Sequence, residues 1–219
     1  VLRKMAGEGG KSWNDLRLPR LREWLRKPLV EAWGAAPVGA MEAAHFKGAP
    51  LDITLKGAAA NWAGKLGGTQ LPTGSIRLKD AGQVSQLPGF EVGDWWVQDA
   101  AAALPVKIMA PEPGETILDL CAAPGGKTMQ IAAAGAQVTA LDLSPARMAR
   151  VEENLSRTGL AANCITGDAL MHQGGPYDAI LLDAPCSATG TIRRHPDLPF
   201  AKDGSEFAGL FELQSTMID

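Results

Sequence analysis

Short apolar segments alternate with helix-like segments in the second half of the chain, and this alternation restricts the possible folds most strongly. Nearly continuous apolar strands are typical of parallel sheets, because the helices that connect parallel strands cover both faces of the sheet. The pattern therefore predicts an α/β fold with a parallel sheet and helices on both faces. In chain order the segments are ETILDLCA, GGKTMQIAAAG, AQVTALDL, SPARMARVEENLSRTGL, NCITGD and YDAILLD.

The strand ends carry polar or glycine-rich residues, and ligands of open α/β sheets bind beyond the carboxyl ends of the strands. Gly125 and Gly126 form a turn before a helix, where backbone can approach a ligand, but the spacing matches neither a P-loop nor GxGxxG. Asp142 is placed to accept both hydroxyls of a ribose, Asp168 could reach an adenine amino group, and Asp183 ends a further strand. A single aspartate of this kind is more often a solvated cap. Together the four ends predict a nucleoside without a diphosphate, and specifically S-adenosylmethionine.

The first half of the chain predicts smaller structures. The segment LPRLREWLRKPLVEAWG reads as a basic amphipathic helix ended by Pro28, and PVGAMEAAHFKG reads as a helix that stops at Gly48. Strand-like LDITLK and GSIRLK with a helix between them predict a small α+β subdomain. We therefore expect a basic helical segment over residues 1–48, an α+β RNA-recognition subdomain over 49–92 and the cofactor-binding domain over 93–219.

The net charge of −3 conceals an asymmetry along the chain. Residues 1–79 carry 13 Lys and Arg against 6 Asp and Glu, whereas residues 80–219 carry 8 against 18. A basic front end is expected where one module holds a polyanion, although a solvated face would give the same composition. The three cysteines have no paired or metal-ligating spacing. We expect a cytoplasmic monomer without a signal peptide, membrane span or metal.

Four motifs together resemble the RNA cytosine-C5 methyltransferases, specifically the bacterial 16S ribosomal RNA enzymes of the Sun/Fmu (NOL/NOP/Sun) family. The motifs are DLCAAPGGKT, LDLSPARMARVEENLSRTG, GDAL and DAPCSATGTIRRHPD, and the resemblance runs from about residue 50 to the end. It implies a Rossmann-like S-adenosylmethionine methyltransferase fold, with residues 1–48 as the tail of a NusB-like RNA-binding domain and a linker. The implied cofactor site consists of Cys121, Ala122, Ala123, Pro124, Gly125, Gly126, Lys127, Asp142, Asp168 and Asp183.

The resemblance also implies the chemistry of Cys186 and Asp183. Cytosine C5 becomes nucleophilic after a thiolate adds at C6, and a carboxyl group at N3 makes C6 more electrophilic. An enzyme that modifies a stacked base must first extrude it, which gives the basic front end a purpose. Methylation of an amino group is less favoured, because those enzymes prefer an aromatic residue where this chain has Cys186.

The resemblance leaves the exact role of Cys186 open. In the family the nucleophile lies in a later TCS-like motif, and the cysteine of the PCS motif assists product release. The sequence ends at FELQSTMID, before any such motif. We therefore expect a chain truncated at both ends, and three alternatives remain: a nucleophile beyond Asp219, a silent fragment that binds cofactor and RNA, or Cys186 as the nucleophile.

The segment TIRRHPD follows the PCS motif. Arg193, Arg194 and His195 are candidates for RNA contact, and the alternative is a solvated turn before Pro196. A small-molecule methyltransferase of the same fold is the remaining alternative, and it predicts no salt-dependent affinity for RNA.

Overall fold

The computed structural model describes residues 18–57, 61–79 and 81–219. The helices are α1 (Glu23–Trp33), α2 (Ala35–Phe46), α3 (Trp62–Leu66), α4 (Leu104–Met109), α5 (Gly126–Ala133), α6 (Pro145–Thr158), α7 (Leu198–Ala201) and α8 (Phe207–Ile218). The strands are β1 (Leu51–Leu55), β2 (Thr69–Gln70), β3 (Ile76–Leu78), β4 (Trp95–Val97), β5 (Thr116–Leu120), β6 (Gln137–Asp142), β7 (Asn163–Thr166) and β8 (Ala179–Leu182). Within the described ranges, every helix is too short or too polar to cross a membrane.

The last four strands form one parallel sheet in the order β7-β6-β5-β8. In the register of the sheet, Ile117 of β5 lies opposite Val138 of β6 and Ala179 of β8. Ile117 and Val138 are buried with Val106 of α4 and Ile131 of α5, so apolar helix faces cover apolar strands. The predicted α/β fold with a parallel sheet is confirmed.

The first four strands form an antiparallel sheet in the order β2-β3-β1-β4. Successive strand residues point to opposite faces of a sheet, so the two adjacent tryptophans of β4 lie on opposite faces. Trp95 is buried with Ile53 and Ile76 in the core of the antiparallel sheet, whereas Trp96 is buried with Met129 of α5. Because β4 pairs with β1, this sheet extends beyond the boundary that the sequence predicts at residue 92.

The chain divides into two compact units. The first contains the described residues 18–49 and 186–210, and the second contains the described residues within 50–185 and 211–219. The first boundary lies one residue after the position 48 predicted from the sequence. Residue 92 lies inside the second unit, which includes both sheets.

Helix α1 of the first unit does not end at Pro28, and this sequence-based prediction is wrong. The helix runs from Glu23 to Trp33 with Pro28 inside it. A proline inside a helix removes one backbone hydrogen bond, but the residues on either side of it are held by packing. Leu25 is buried and Leu29 is half-buried against Ile192 and Leu198 of the same unit. These contacts are distant in sequence, so the local pattern did not show them.

Candidate functional site

The loop between β5 and α5 holds the glycine turn that the sequence predicted. Cys121 and Gly125 both have positive φ, 61° and 97°, and Gly125 is the N-cap of α5. A Cβ on Gly125 would lie 3.1 Å from Cγ1 of Val151, and a Cβ on Gly126 would lie 3.4 Å from the side chain of Gln98. Within this structure, the two glycines therefore permit a left-handed turn and the close approach of neighbouring protein groups.

Asp142 joins the end of β6 to this turn. Its carboxylate accepts hydrogen bonds from the backbone N–H of Ala123 and of Ser144, each at 3.1 Å, and the residue is 1% exposed. Arg147 donates from Nη2 to the carbonyl of Ala123 at 2.8 Å, and the same nitrogen is 3.4 Å from Oδ2 of Asp142. Sequence reasoning missed Arg147, although its place one helical turn after Ser144 was a usable signal.

Lys127 and Asp183 are brought together across the ends of two strands. Nζ of Lys127 donates to Oδ2 of Asp183 at 2.7 Å, and Asp183 remains 58% exposed. The pair lies beyond the neighbouring strands β5 and β8, so an exposed carboxylate is held at the edge where ligands of such sheets bind.

Asp119 is a buried carboxyl group that sequence reasoning missed. It is 0% exposed, and its Oδ2 accepts from Oγ1 of Thr128 at 2.6 Å. Its Oδ1 has no hydrogen-bond partner in the part of the chain that the structure describes. The pKa of Asp119 is raised to about 6. Burial raises it most, and the charges of Asp183 and Asp142 also raise it, whereas the hydrogen bond from Thr128 and the charge of Lys127 lower it. The signal in the sequence was an aspartate inside the apolar strand TILDL.

Exposed apolar residues follow two of the strand-end aspartates in the sequence. Leu143, directly after Asp142, is 71% exposed. Asp168 is also exposed and caps a 3-10 turn by accepting from the backbone N–H of Leu170 at 3.0 Å. Leu170 and Met171 are exposed as well, so the carboxyl ends of β6 and β7 carry exposed apolar side chains together with the exposed carboxylate of Asp168, whereas Asp142 is buried. An apolar residue directly after a strand-end aspartate was the missed signal for Leu143.

The three cysteines have different surroundings. Cys121 and Cys164 are half-buried, and burial raises the pKa of both thiols. For Cys121, Asp142 and Asp183 raise the pKa further, which favours the protonated thiol. Cys186 is exposed, and its Sγ accepts from the backbone N–H of Ala188 at 3.4 Å. It belongs to the first unit and follows Asp183 by three residues in the sequence.

The candidate RNA-contact residues Arg193, Arg194 and His195 are all exposed and belong to the first unit. Nε of Arg193 donates to the carbonyl of Gly48 at 2.6 Å, which fixes this loop to the segment after α2. Across the described ranges, no group of three His, Cys, Asp or Glu side chains has the arrangement of a metal site.

Relatives cover different parts of this chain. A protein named ribosomal RNA small subunit methyltransferase B from Vibrio cholerae is 51% identical over 151 residues, covering 66% of this chain and 35% of the relative. The protein of the same name from Sodalis glossinidius is 40% identical over 212 residues, covering 89% of this chain and 48% of the relative. The chain therefore spans between about a third and a half of these relatives' lengths.

Two solved structures share the fold. The crystal structure of PH0851 superposes with a TM-score of 0.82 at 25% identity, over 90% of this chain and 49% of that one. NSun6 from Pyrococcus horikoshii, solved with SFG, has a TM-score of 0.77 at 18% identity, over 92% of this chain and 79% of that one. The Rossmann-like methyltransferase fold is thereby confirmed.

The sequence model of one family, described as 16S rRNA methyltransferase RsmB/F, matches residues 106–219. This range contains the glycine turn, the strand-end aspartates and Cys186. The match confirms the resemblance and S-adenosylmethionine as the cofactor. The chain belongs to the RsmB/F family of 16S rRNA methyltransferases.

Proposed function

We propose that this chain is the cofactor-binding and catalytic part of an enzyme that methylates cytosine C5 in 16S ribosomal RNA. The observation that carries the proposal is the exposed Asp183, held by Lys127 at 2.7 Å and followed by the exposed Cys186. This arrangement supplies a carboxylate and a thiol close together in the sequence. In the proposed chemistry the carboxylate holds the base and the thiol assists release of the product.

The residues at the strand ends fit S-adenosylmethionine, which supplies an electrophilic methyl group when bound. An ionised carboxylate has about four lone-pair sites. Backbone donors use two of those on Asp142, so two are left for the ribose hydroxyls. Because Asp142 is 1% exposed and Arg147 lies against it, ribose binding requires the Arg147 side chain to move. Leu143 supplies an apolar wall for the adenine, and Asp168 an acceptor for its amino group.

Asp183 holds the target base by its Watson–Crick edge. When ionised, the Asp183 carboxylate accepts a hydrogen bond from the N4 amino group of cytosine, which uracil lacks. When protonated, the same group donates a hydrogen bond to N3. Lys127 fixes the position of the carboxylate, so we assign it a positioning role.

Cys186 acts on the covalent adduct. A thiolate bonded to C6 makes C5 nucleophilic, C5 takes the methyl group, a base removes the C5 proton, and the C6–S bond breaks as the electron pair returns to sulfur. We assign Cys186 to the last stage, the release of the methylated RNA. In the family that the chain resembles, the nucleophile is the cysteine of another motif.

Two measurements test this function in the protein that carries this sequence. The first is the identity of the methylated nucleoside after incubation with 16S rRNA and S-adenosylmethionine, by digestion and mass spectrometry. We expect 5-methylcytidine. 4-Methylcytidine would exclude the C5 chemistry, and intact cofactor binding without methylation would exclude catalysis.

The second measurement uses the variant Cys186→Ser, which should accumulate a covalent protein–RNA complex. Loss of both the adduct and the methylated product would make Cys186 the nucleophile instead.

Calorimetry with S-adenosylmethionine tests the cofactor site separately. Leu143→Ala removes part of the proposed adenine wall and should weaken binding about fivefold, with little loss of stability because Leu143 is 71% exposed. Ile108→Ala is the matched control, since Ile108 is 80% exposed and lies on α4. Equal affinities for the two variants would contradict the assigned wall.

A further inference from the structure

The first unit contains a cavity of about 450 Å³, within the range of about 300–1,000 Å³ typical of sites for small ligands. Neither Cys186 nor any predicted cofactor residue lines it, so it is distinct from the site described above. Its walls come from the segment before α1, from α2 and from the segment around α7. The lining residues are Pro19, Arg20, Leu21, Glu42, His45, Phe46, Gly48, Ile192, Arg193, Pro196, Pro199 and Phe200.

Besides Arg20 and Arg193, the lining of this cavity has two polar positions, and both are on α2. Nδ1 of His45 is buried and, among the described residues, has no hydrogen-bond partner. Burial lowers the pKa of His45, and Arg193 lowers it further while Glu42 raises it, so the ring is neutral near pH 7. Glu42 is buried too, and its Oε1 accepts from the backbone N–H of Leu21 and from Nε of Arg26. A buried ring nitrogen that accepts no hydrogen bond from a described residue is suited to the polar edge of a flat heterocycle.

The lining carries positive charge that Glu42 does not neutralise. Arg20 and Arg193 line the cavity and are exposed, whereas Glu42 is already paired with Arg26 at 3.0 Å. The hydrogen bond from Arg193 to Gly48 uses only one of the five guanidinium N–H donors. Exposed arginines beside an apolar cavity with two phenylalanines are the combination that binds single-stranded nucleic acid, in which bases stack and phosphates pair with cations.

We propose that this cavity binds an unpaired nucleotide of the RNA, with the base among Phe46, Phe200 and His45 and the phosphate at Arg20 and Arg193. The nucleotide is not the target cytosine, since the catalytic residues do not line the cavity. The proposal rests on the proposed function, because it takes RNA as the substrate. It adds a base-binding site to the RNA contact expected of Arg193, Arg194 and His195.

Fluorescence anisotropy with two labelled oligomers tests the cavity. One oligomer is a short single-stranded RNA, and the other has the same number of phosphates but no bases. Phe200→Ala and His45→Phe should each weaken binding of the RNA about tenfold and leave binding of the abasic oligomer unchanged. Arg193→Gln should weaken both and reduce the dependence on salt.

The controls separate failure of the cavity from failure of the function. Ile108→Ala and Arg150→Gln replace exposed residues of the second unit and should bind both oligomers like the parent protein. Phe200 is 61% exposed, so its replacement leaves folding intact, as urea unfolding should show. Two results would overturn the cavity proposal alone. Either Phe200→Ala and His45→Phe weaken binding of both oligomers equally, or they leave RNA binding as strong as in the parent protein. The cavity would then hold a peptide or nothing. Failure of the parent protein to bind RNA would overturn the proposed RNA substrate as well.

Discussion

At the scale of single residues, Asp119 makes the stability of the protein depend on pH. Its pKa is about 6 in the folded protein and 3.8 in the reference state, so between these values the folded state binds more protons than the unfolded state. Stability must therefore fall as the pH rises through this window, by about 3 kcal/mol in total. Asp119→Asn removes the ionisation and keeps an acceptor for Thr128.

Urea unfolding at pH 5 and at pH 7.5 measures this effect. From pH 5 to pH 7.5, the free energy of unfolding of Asp119→Asn should rise by about 1 kcal/mol relative to that of the parent protein. A loss of stability that is the same at both pH values cancels in this comparison. Asp178→Asn is the control, because hydrogen bonds from Thr116 lower the pKa of Asp178 and its titration lies below this range. A constant difference between Asp119→Asn and the parent would show that Asp119 does not titrate there.

At the scale of elements, Pro28 makes α1 less stable than its length suggests. A proline lacks the N–H that would donate to the carbonyl four residues earlier, that of Trp24, and its ring crowds that group. Pro28→Ala should raise the free energy of unfolding of the first unit by about 2 kcal/mol. Urea unfolding followed by tryptophan fluorescence measures the change. Pro37→Ala serves as the comparison, because Pro37 lies in the first turn of α2, where proline is tolerated and little change is expected. An unchanged or lower stability for Pro28→Ala would contradict this account.

The elements that the sequence predicted well are those whose limits are written in local signals. Helix α6 begins after Ser144, whose Oγ accepts from the backbone N–H of Arg147. It ends just before Gly159, which caps it with a φ of 61°, and the sequence predicted both limits. β4 was not predicted as a strand, because its place depends on pairing with β1, at least 40 residues earlier in the chain. Long-range pairing leaves no periodic signal in so short a segment.

The candidate site also has features that the sequence predicted and features that it did not. The strand-end aspartates could be found because the ends of parallel strands meet at one edge of a sheet. That Asp142 would be buried beneath neighbouring groups could not be foreseen. Its exposure depends on Ala123 and Arg147, whose positions follow from how the glycine turn packs against α6. A motif therefore identifies the residues of such a site, but it does not show which of them are covered by neighbouring groups that must move before a ligand binds.

At the scale of the whole molecule, Arg157 connects the two sheets of the second unit. From α6 it donates through Nη1 to the carbonyls of Phe90 and Trp95, at 2.7 and 3.1 Å, and its guanidinium lies 4.3 Å from the centre of the Phe90 ring. Lys56 at the end of β1 also donates to the carbonyl of Thr158 on α6. With Trp96 packed against α5, these contacts predict that both sheets unfold together.

Hydrogen exchange in Arg157→Met tests whether the second unit is one cooperative structure. The variant leaves two carbonyls without this donor and should lose about 2–4 kcal/mol. If the sheets unfold together, the slowest amides of β1 and of β5 must lose protection by the same free energy, since both exchange only through global unfolding. If residues 50–92 form an independent domain, only the amides of β1 and β3 lose protection. Arg150→Met, an exposed position on the same helix, should change neither. Equal losses of protection in β1 and β5 would place the antiparallel sheet within the methyltransferase unit. The stability of the antiparallel sheet would then depend on α6, the helix that follows Asp142.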